Sequence, residues 1–205
     1  MSDAVHALAS EAGWRLRALL RTSRFYSVAS LVRLYKCHIL SFLEGATSAI
    51  YHAAPAILRQ LDELQATFLD TVGLSSTDAL LKHNLAPLQM RRDIAMLGVL
   101  YKVAHQTAPA PIQTLFSLQP ATLERYGFPC PGLKHKFQIL DPVAFDHPVM
   151  IKRSIFGLIR IFNHLAEDTV AVRDVKLFQK ALQLRAKAAA RNGCPHWEDF
   201  YHADC

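Results

Sequence analysis

Apolar residues recur at steps of three and four between residues 31 and 101, and this spacing is the period of an α-helix. The first stripe contains Leu31, Leu34, Tyr35, His38, Phe42, Ala46 and Ile50. The second stripe contains Ile57, Leu61, Leu64, Phe68 and Val72. The pattern predicts one helix over residues 31–53 and another after it. Because His38 shares the first stripe, we expect it to be a buried, hydrogen-bonded core histidine.

Residues that favour helix ends divide this stretch into four helices. Pro55 and Pro87 each suit the first position of a helix, where a missing N–H costs no hydrogen bond. Gly73 suits the position just after a helix end. Ser75 offers an N-cap for a short third helix that ends near Asn84. These residues therefore predict four helices joined by short turns.

A first helix is predicted ahead of this stretch, over residues 3–24. Its apolar stripe runs through Val5 and Leu16, and Trp14 lies between that stripe and a face of arginines. We expect Trp14 to belong to the core; the alternative is that it packs beside a bound nucleotide.

The last part of the chain is also predicted to be helical. Residues 154–165 are predicted to form a helix with one apolar stripe. Asp168 or Thr169 is expected to cap a last long helix after it. Gly193 would stop that helix. Residues 105–148 are not predicted to form long helices, because seven of the ten prolines lie in this range. In that part, residues 137–139 and 149–151 can pair as a short β-hairpin.

The net charge of +6 is concentrated in two segments. No acidic residue occurs between Glu11 and Glu44, and the basic residues in that window are Arg15, Arg17, Arg21, Arg24, Arg33 and Lys36. The second segment contains Arg173, Lys176, Lys180, Arg185, Lys187 and Arg191, with Asp174 as its only acid. Such segments indicate a polyanionic partner. The alternative is that they are ordinary solvated faces of helices.

Several short motifs occur along the chain in an order that is typical of one protein family. They are Leu34-Tyr35-Lys36, Leu43-Glu44, Leu61-Asp62 with Gln65, Leu88, Arg91-Arg92-Asp93, Leu97 and Leu100-Tyr101-Lys102. Later motifs are Arg153-Ser154-Ile155-Phe156 and Phe162-Asn163-His164-Leu165, followed by Phe178 and Leu182. Together they resemble the C-terminal part of non-LTR (LINE-type) retrotransposon reverse transcriptases, over roughly residues 14–190. Two positions depart from that family: Phe162 replaces a tryptophan and Ala166 a proline.

The resemblance implies a mainly α fold, with a thumb-like helical bundle, a proline-rich connector and a C-terminal helical tail. We expect these parts at residues 1–106, 107–150 and 151–205. It also implies that the chain grips RNA or an RNA/DNA duplex through the backbone, beside the palm and fingers of a polymerase. The residues expected to contact nucleic acid are Arg15, Arg17, Arg21, Arg24, Arg33, Lys36, Arg91, Arg92, Lys176, Lys180 and Lys187.

Catalysis is not expected from this chain alone. A reverse transcriptase holds two Mg²⁺ ions with paired palm carboxylates, which the family carries as an Asp-Asp pair. This sequence contains no Asp-Asp pair. We therefore expect a non-catalytic part of an RNA-directed DNA polymerase, with no cofactor.

Two further motifs have competing interpretations. Cys194, His196, His202 and Cys205 could supply four zinc ligands, but their spacing matches no common zinc finger, and we expect a polar tail instead. Arg91 and Arg92 could bind phosphates. One of them could equally pair with an acid of the preceding helix, such as Asp62, and we favour this structural role for one of the two.

The alternative function is a helical protein-interaction module that self-associates, or a decayed retroelement reading frame with no activity of its own. The sequence has no run of eighteen apolar residues, so no membrane partner is expected. Its four widely separated cysteines suit a reducing compartment. We therefore expect the protein in the nucleus or the cytoplasm.

Overall fold

The computed structural model describes residues 1–120, 124–125, 128–129, 135–141 and 154–201. The protein is mainly helical, as predicted. The helices are α1 (Ser2–Arg21), α2 (Val28–Tyr35), α3 (Ser41–Gly45), α4 (Thr47–Ile50), α5 (Pro55–Val72), α6 (Ser76–His83), α7 (Leu88–Ala104), α8 (Ala110–Gln113), α9 (Ile155–Asn163), α10 (Glu167–Val170) and α11 (Val175–Arg191). Two 3-10 turns (Ser23–Phe25 and Trp197–Asp199) and a π-helical turn (Lys36–Leu40) complete the helical elements of the described residues.

Short antiparallel strand pairs occur in the proline-rich part. The strands are β1 (Leu118–Pro120), β2 (Glu124–Arg125), β3 (Phe128–Pro129) and β4 (Phe137–Ile139). β4 confirms the predicted strand, and its observed partner is β1, with Leu118 opposite Ile139. Residues 149–151, the predicted partner, lie outside the described residues. The sequence does not predict β1, because Pro120 lacks an N–H donor and so argues against a central strand. Proline is compatible with an edge strand, and both strands of a two-stranded sheet are edge strands.

The helix ends follow the residues that predict them. Pro55 occupies the first turn of α5, and Gly73 ends that helix in the left-handed region at φ 68°. The Ser75 hydroxyl accepts a hydrogen bond from the Asp78 N–H at 3.1 Å, so it caps α6. Asn84 closes α6 at φ 52°. These four predictions are confirmed because each depends only on local backbone geometry.

The helix predicted over residues 31–53 is interrupted by the π-helical turn Lys36–Leu40. A π turn contains more residues than an α turn, so it shifts the phase of the side chains that follow. As a result His38 is exposed, whereas Ile39 and Leu40 are buried. The prediction of a buried core His38 is therefore wrong.

The last long helix begins later than predicted. Glu167–Val170 is a separate short helix, α10, so Asp168 and Thr169 do not cap α11. Asp174 does so instead: its Oδ1 accepts a hydrogen bond from the Lys176 N–H at 3.2 Å. The sequence offers two competent capping sites within seven residues, and local preference does not choose between them. Gly193, at φ 66°, follows the end of α11 as predicted.

The chain divides into two compact units. The first contains Met1–Arg92 and Ala189–Asp199, and the second contains Asp93–Ala188 and residues 200–201 of the described chain. In the first unit the apolar stripes of α1, α2 and α5 form the core, and the rings of Tyr35 and Phe68 stack with centroids 4.3 Å apart. The His6 ring also lies 2.8 Å from the Gln60 side-chain oxygen, joining α1 to α5.

The second unit is built around an aromatic core. Phe178 of α11 stacks on Tyr101 of α7 with centroids 4.8 Å apart and meets the Phe162 ring edge-on at 6.1 Å. Gly98 of α7 leaves room for the Gln179 side chain of α11, because a Cβ at this position would lie 2.5 Å from Gln179 Nε2. This packing joins α7, α9 and α11 within the second unit.

His135 is a fully buried titratable side chain of the second unit. Its Nε2 lies 2.9 Å from the Phe162 carbonyl oxygen, and its Nδ1 accepts a hydrogen bond from the Phe137 N–H at 3.1 Å. This arrangement holds a neutral ring with the proton on Nε2. Burial lowers the pKa of His135, although the hydrogen bond to Phe162 and the charge of Glu167 oppose this effect.

Stability is therefore expected to fall as the solution becomes acidic. Because the folded-state pKa of His135 lies below its unfolded value of about 6.5, the unfolded chain binds more protons below that pH. The contribution of His135 is complete above about pH 6.5 and is lost as the pH drops. Urea unfolding at about pH 5 and pH 7 should show this loss, and His135→Gln should reduce it. An unchanged pH dependence in the variant would contradict the assignment.

Candidate nucleic-acid interface

The acid-free basic segment forms an exposed surface on the first unit. Arg17 and Arg21 lie on α1, Arg24 lies in the turn Ser23–Phe25, and Arg33 lies on α2; all four side chains are exposed. Among the residues that the structure describes, none of the four forms an ion pair with a carboxylate. Arg17 and Arg21 are four residues apart, so they share one face of α1. We call Trp14, Arg17, Arg21, Arg24, Phe25, Tyr26 and Arg33 the basic-aromatic surface.

Two basic residues of the same segment are engaged within the fold instead. The Arg15 guanidinium donates to Glu11 at 3.0 Å and to the His38 carbonyl oxygen at 3.3 Å, and it lies 4.0 Å from the Phe42 ring centroid. The Lys36 ammonium donates to the His83 carbonyl oxygen and is partly buried. These contacts join α1 to the π turn and the π turn to the end of α6. Arg15 and Lys36 are therefore less available to a ligand than the four exposed arginines.

Three large aromatic side chains are exposed beside these arginines. Trp14 is 62% exposed, Phe25 70% and Tyr26 48%. The expectation that Trp14 belongs to the core is wrong. The apolar stripe of α1 is completed by Val5, Ala12 and Leu16, and Trp14 lies outside it. Sequence reasoning did not identify Phe25 and Tyr26, although both lie within the acid-free window.

Arg91 and Arg92 have structural partners in the first unit. Arg92 is 4% exposed, and its Nη2 lies 2.7 Å from Asp62 Oδ1 and 2.9 Å from Gln89 Oε1. The Arg91 guanidinium pairs with the Glu44 carboxylate. Arg92 is therefore buried and paired with Asp62, which is the structural role expected for one of the two arginines. Arg91 is mostly buried as well and joins α7 to α3.

The charged groups of Arg91, Asp62 and Glu44 lie near the buried hydroxyl group of Tyr35. Burial raises the pKa of Tyr35, while the positive charge of Arg91 opposes the rise and the charges of Asp62 and Glu44 add to it. Tyr35 is therefore a neutral core residue and not an acid–base group at ordinary pH. The ion pairs of Arg91 with Glu44 and of Arg92 with Asp62 join helices of the first unit, and both guanidinium groups are mostly buried.

Most of the second basic segment lies on α11, in the second unit. Lys176 and Lys180 on α11 are exposed, and Lys187 is partly exposed. Leu177 and Leu184, on the same helix, are 52% and 55% exposed. The face thus mixes lysine ammonium groups with apolar side chains.

The possible zinc ligands are only partly within the described residues. Cys194 is partly buried and His196 is exposed, at φ 61°. His202 and Cys205 lie outside the described residues. Among those described, no three His, Cys, Asp or Glu side chains are placed to hold a metal ion. Tyr201, in the predicted tail, is buried and donates a hydrogen bond to the Leu182 carbonyl oxygen at 2.8 Å.

Comparison with known proteins gives no relative for this chain. No protein-family model matches it, and no curated protein or solved structure matches it either. Within the described ranges, no helix is both long and apolar enough to cross a membrane.

Proposed function

We propose that this chain binds the sugar–phosphate backbone of nucleic acid, without regard to base sequence, as a non-catalytic, thumb-like part of a LINE-type RNA-directed DNA polymerase. One observation carries the binding proposal: Arg17, Arg21, Arg24 and Arg33 are exposed within a segment of the chain that contains no acid. The link to a reverse transcriptase is supported by the sequence motifs of the first and second units. The ligand would be RNA or an RNA/DNA duplex.

The chemistry of the four side chains suits a phosphate ligand. A guanidinium group stays charged and presents its N–H donors in a planar fork that matches two phosphate oxygens. No acidic side chain between Glu11 and Glu44 competes for these donors, and Glu11 itself pairs with Arg15. Backbone contacts carry no base information, so binding would be indifferent to sequence. The carboxylates for metal-dependent polymerisation would belong to the palm that accompanies such a thumb.

The proposal predicts a defined salt dependence. With about four phosphate contacts, the logarithm of the association constant should fall with the logarithm of salt concentration at a slope of about −3 to −4. Fluorescence anisotropy of labelled RNA/DNA hybrids, measured over a range of salt concentrations, gives this slope. Two hybrids of equal length and unrelated sequence should bind equally well. A slope near zero, or a strong preference for one sequence, would contradict the proposal.

A second candidate function is self-association through α11. The observation that favours it is the exposure of Leu177 and Leu184, which lie seven residues apart and so share one helix face. Apolar anchors at this spacing are typical of helices that dock into a groove or onto another helix. Lys180, three residues from Leu177, borders the same face and would hinder docking of two like-charged copies.

Self-association can be measured directly. If α11 mediates it, the sedimentation coefficient should rise with protein concentration, and Leu177→Asp with Leu184→Asp should abolish the rise. Leu115 is 76% exposed but lies outside α11, so Leu115→Asp is a matched control that should leave the rise unchanged. A monomer at all concentrations would remove this candidate.

A further inference from the structure

The basic-aromatic surface exposes large aromatic rings together with arginines. Large aromatic rings are usually buried, because each carries a large apolar surface. In the same unit Tyr35, Tyr51 and Phe68 follow this rule and are at most 1% exposed. Trp14, Phe25 and Tyr26 do not, and all three lie in the acid-free segment that holds the exposed arginines.

Three of the arginines lie along the chain between Trp14 and the pair Phe25 and Tyr26. Trp14, Arg17 and Arg21 are spaced by three and four residues, so they line one face of α1. Arg24 and Phe25 follow in the next turn of the chain, and the Arg24 guanidinium lies over the Phe25 ring, 4.7 Å from its centroid. Arg24 covers part of that ring, which is still 70% exposed. Trp14 lies on α1, and Phe25 follows eleven residues later in the turn after that helix.

We propose that the basic-aromatic surface binds single-stranded RNA or DNA, with unpaired bases stacked on Trp14 and Phe25 and phosphates held by Arg17, Arg21 and Arg24. This inference rests on the proposed function, that the segment binds nucleic acid, and adds the class of nucleic acid. Duplexes bind through the arginines alone.

The physical basis is the accessibility of base faces. In a duplex, both faces of each base are stacked on neighbouring pairs and cannot meet a protein ring. In a single strand the faces are open, and aromatic rings beside a positive groove form a stacking platform that tolerates any sequence. Because Trp14 lies on α1 and Phe25 in the turn after it, the two rings would contact different nucleotides of one strand.

An acidic protein is the other class of partner that charge alone would allow. It would satisfy the arginines, but it offers no repeated planar groups for three exposed rings. The test therefore includes polyglutamate as a probe of purely electrostatic binding to an acidic polypeptide.

The experiment uses Trp14 as its own reporter. The chain has two tryptophans, Trp14 and Trp197, so Trp197→Phe leaves Trp14 as the only one. Oligouridylate or oligothymidylate of about 12 nucleotides should quench the fluorescence of this variant, whereas a blunt duplex of equal length should quench it little. Polyglutamate should leave the signal unchanged.

Two substitutions at Trp14 separate stacking from apolar contact. Trp14→Leu keeps an apolar side chain without a ring, and we expect it to weaken single-strand binding about 5-fold to 150-fold while leaving duplex binding unchanged. Trp14→Phe should restore most of the affinity. Because Trp14 is mostly exposed, both variants should unfold at the temperature of the parent.

The outcomes are distinguishable. If duplexes bind with the expected salt slope but single strands bind no better and Trp14→Leu has no effect, this inference is overturned and the proposed function stands. If neither single strands nor duplexes bind, both fail. If polyglutamate quenches Trp14 as strongly as the oligonucleotides do, an acidic protein partner replaces the single strand.

Discussion

Replacing Arg17, Arg21 and Arg24 together by alanine is expected to weaken duplex binding about a hundredfold and to flatten the salt slope by about three units. Each lost phosphate contact removes about 0.9 from the slope, and at about 0.15 M salt this corresponds to roughly 0.7 logarithmic units of affinity. Three contacts together give roughly two units. The measurement is the anisotropy titration with RNA/DNA hybrids, on the variant and the parent in parallel.

The matched control keeps the charge and changes the geometry. The triple change Arg17→Lys, Arg21→Lys, Arg24→Lys should retain the slope, because the charge is unchanged, and lose only part of the affinity, because lysine lacks the bidentate fork. All three arginines are exposed, so thermal unfolding of both triple variants should match the parent. An alanine variant that binds like the parent would show that these arginines form an ordinary solvated face.

Asp62→Ala is expected to lower the free energy of unfolding by about 2 to 3 kcal/mol. The substitution leaves the Arg92 guanidinium buried, with its side chain 5% exposed, and without the carboxylate at 2.7 Å. A buried charge that loses its partner usually costs about 3 to 5 kcal/mol. The expected loss is smaller because the Asp62 side chain is 37% exposed and its own charge is partly solvated.

Two variants test the cause of that loss by urea unfolding. Glu63 is exposed on the same helix, so Glu63→Ala removes an acid at the next position and should change stability by less than about 0.5 kcal/mol. The double change Asp62→Ala, Arg92→Leu removes the buried charge as well, and it should recover part of the stability. Equal effects of Asp62→Ala and Glu63→Ala would show that the pair contributes no stability.

The predictions that the structure confirms depend on neighbours in the sequence. The stripe of α1, the left-handed end of α5 at Gly73 and the cap at Ser75 each involve residues within one or two turns of helix. Such interactions are encoded by spacing and residue type alone. The mainly helical class follows for the same reason.

The predictions that fail depend on contacts that sequence spacing does not record. Glu44 and Arg91 are 47 residues apart, and no local pattern indicates that they pair. The sequence does predict that one of the two arginines pairs with an acid such as Asp62, and Arg92 forms this pair, but spacing alone does not show which of the two is buried. Trp14 lies at the border of the α1 stripe, where periodicity does not show whether a neighbouring element covers it.

The candidate site was predictable in part. The absence of acids between Glu11 and Glu44 marks the basic segment from sequence alone. The lack of acids alone does not show which basic residues of the segment are engaged within the fold. Arg15 pairs with Glu11, four residues away, and Lys36 donates to the carbonyl oxygen of His83, which is distant in sequence. The aromatic component of the surface emerges only from the exposure of its rings in the folded chain.

The π-helical turn at Lys36–Leu40 has a consequence for how this chain can change over time. A wide turn of this kind is equivalent to one residue inserted into an α-helix. Deleting one residue there would close the wide turn into a regular α turn, so Leu43 and Ile50 would keep their places in the core. A deletion within a regular helix such as α5 would instead rotate every later side chain of that helix by about 100°. Related chains, compared position by position, should therefore vary in length by one residue at this turn more readily than within α5.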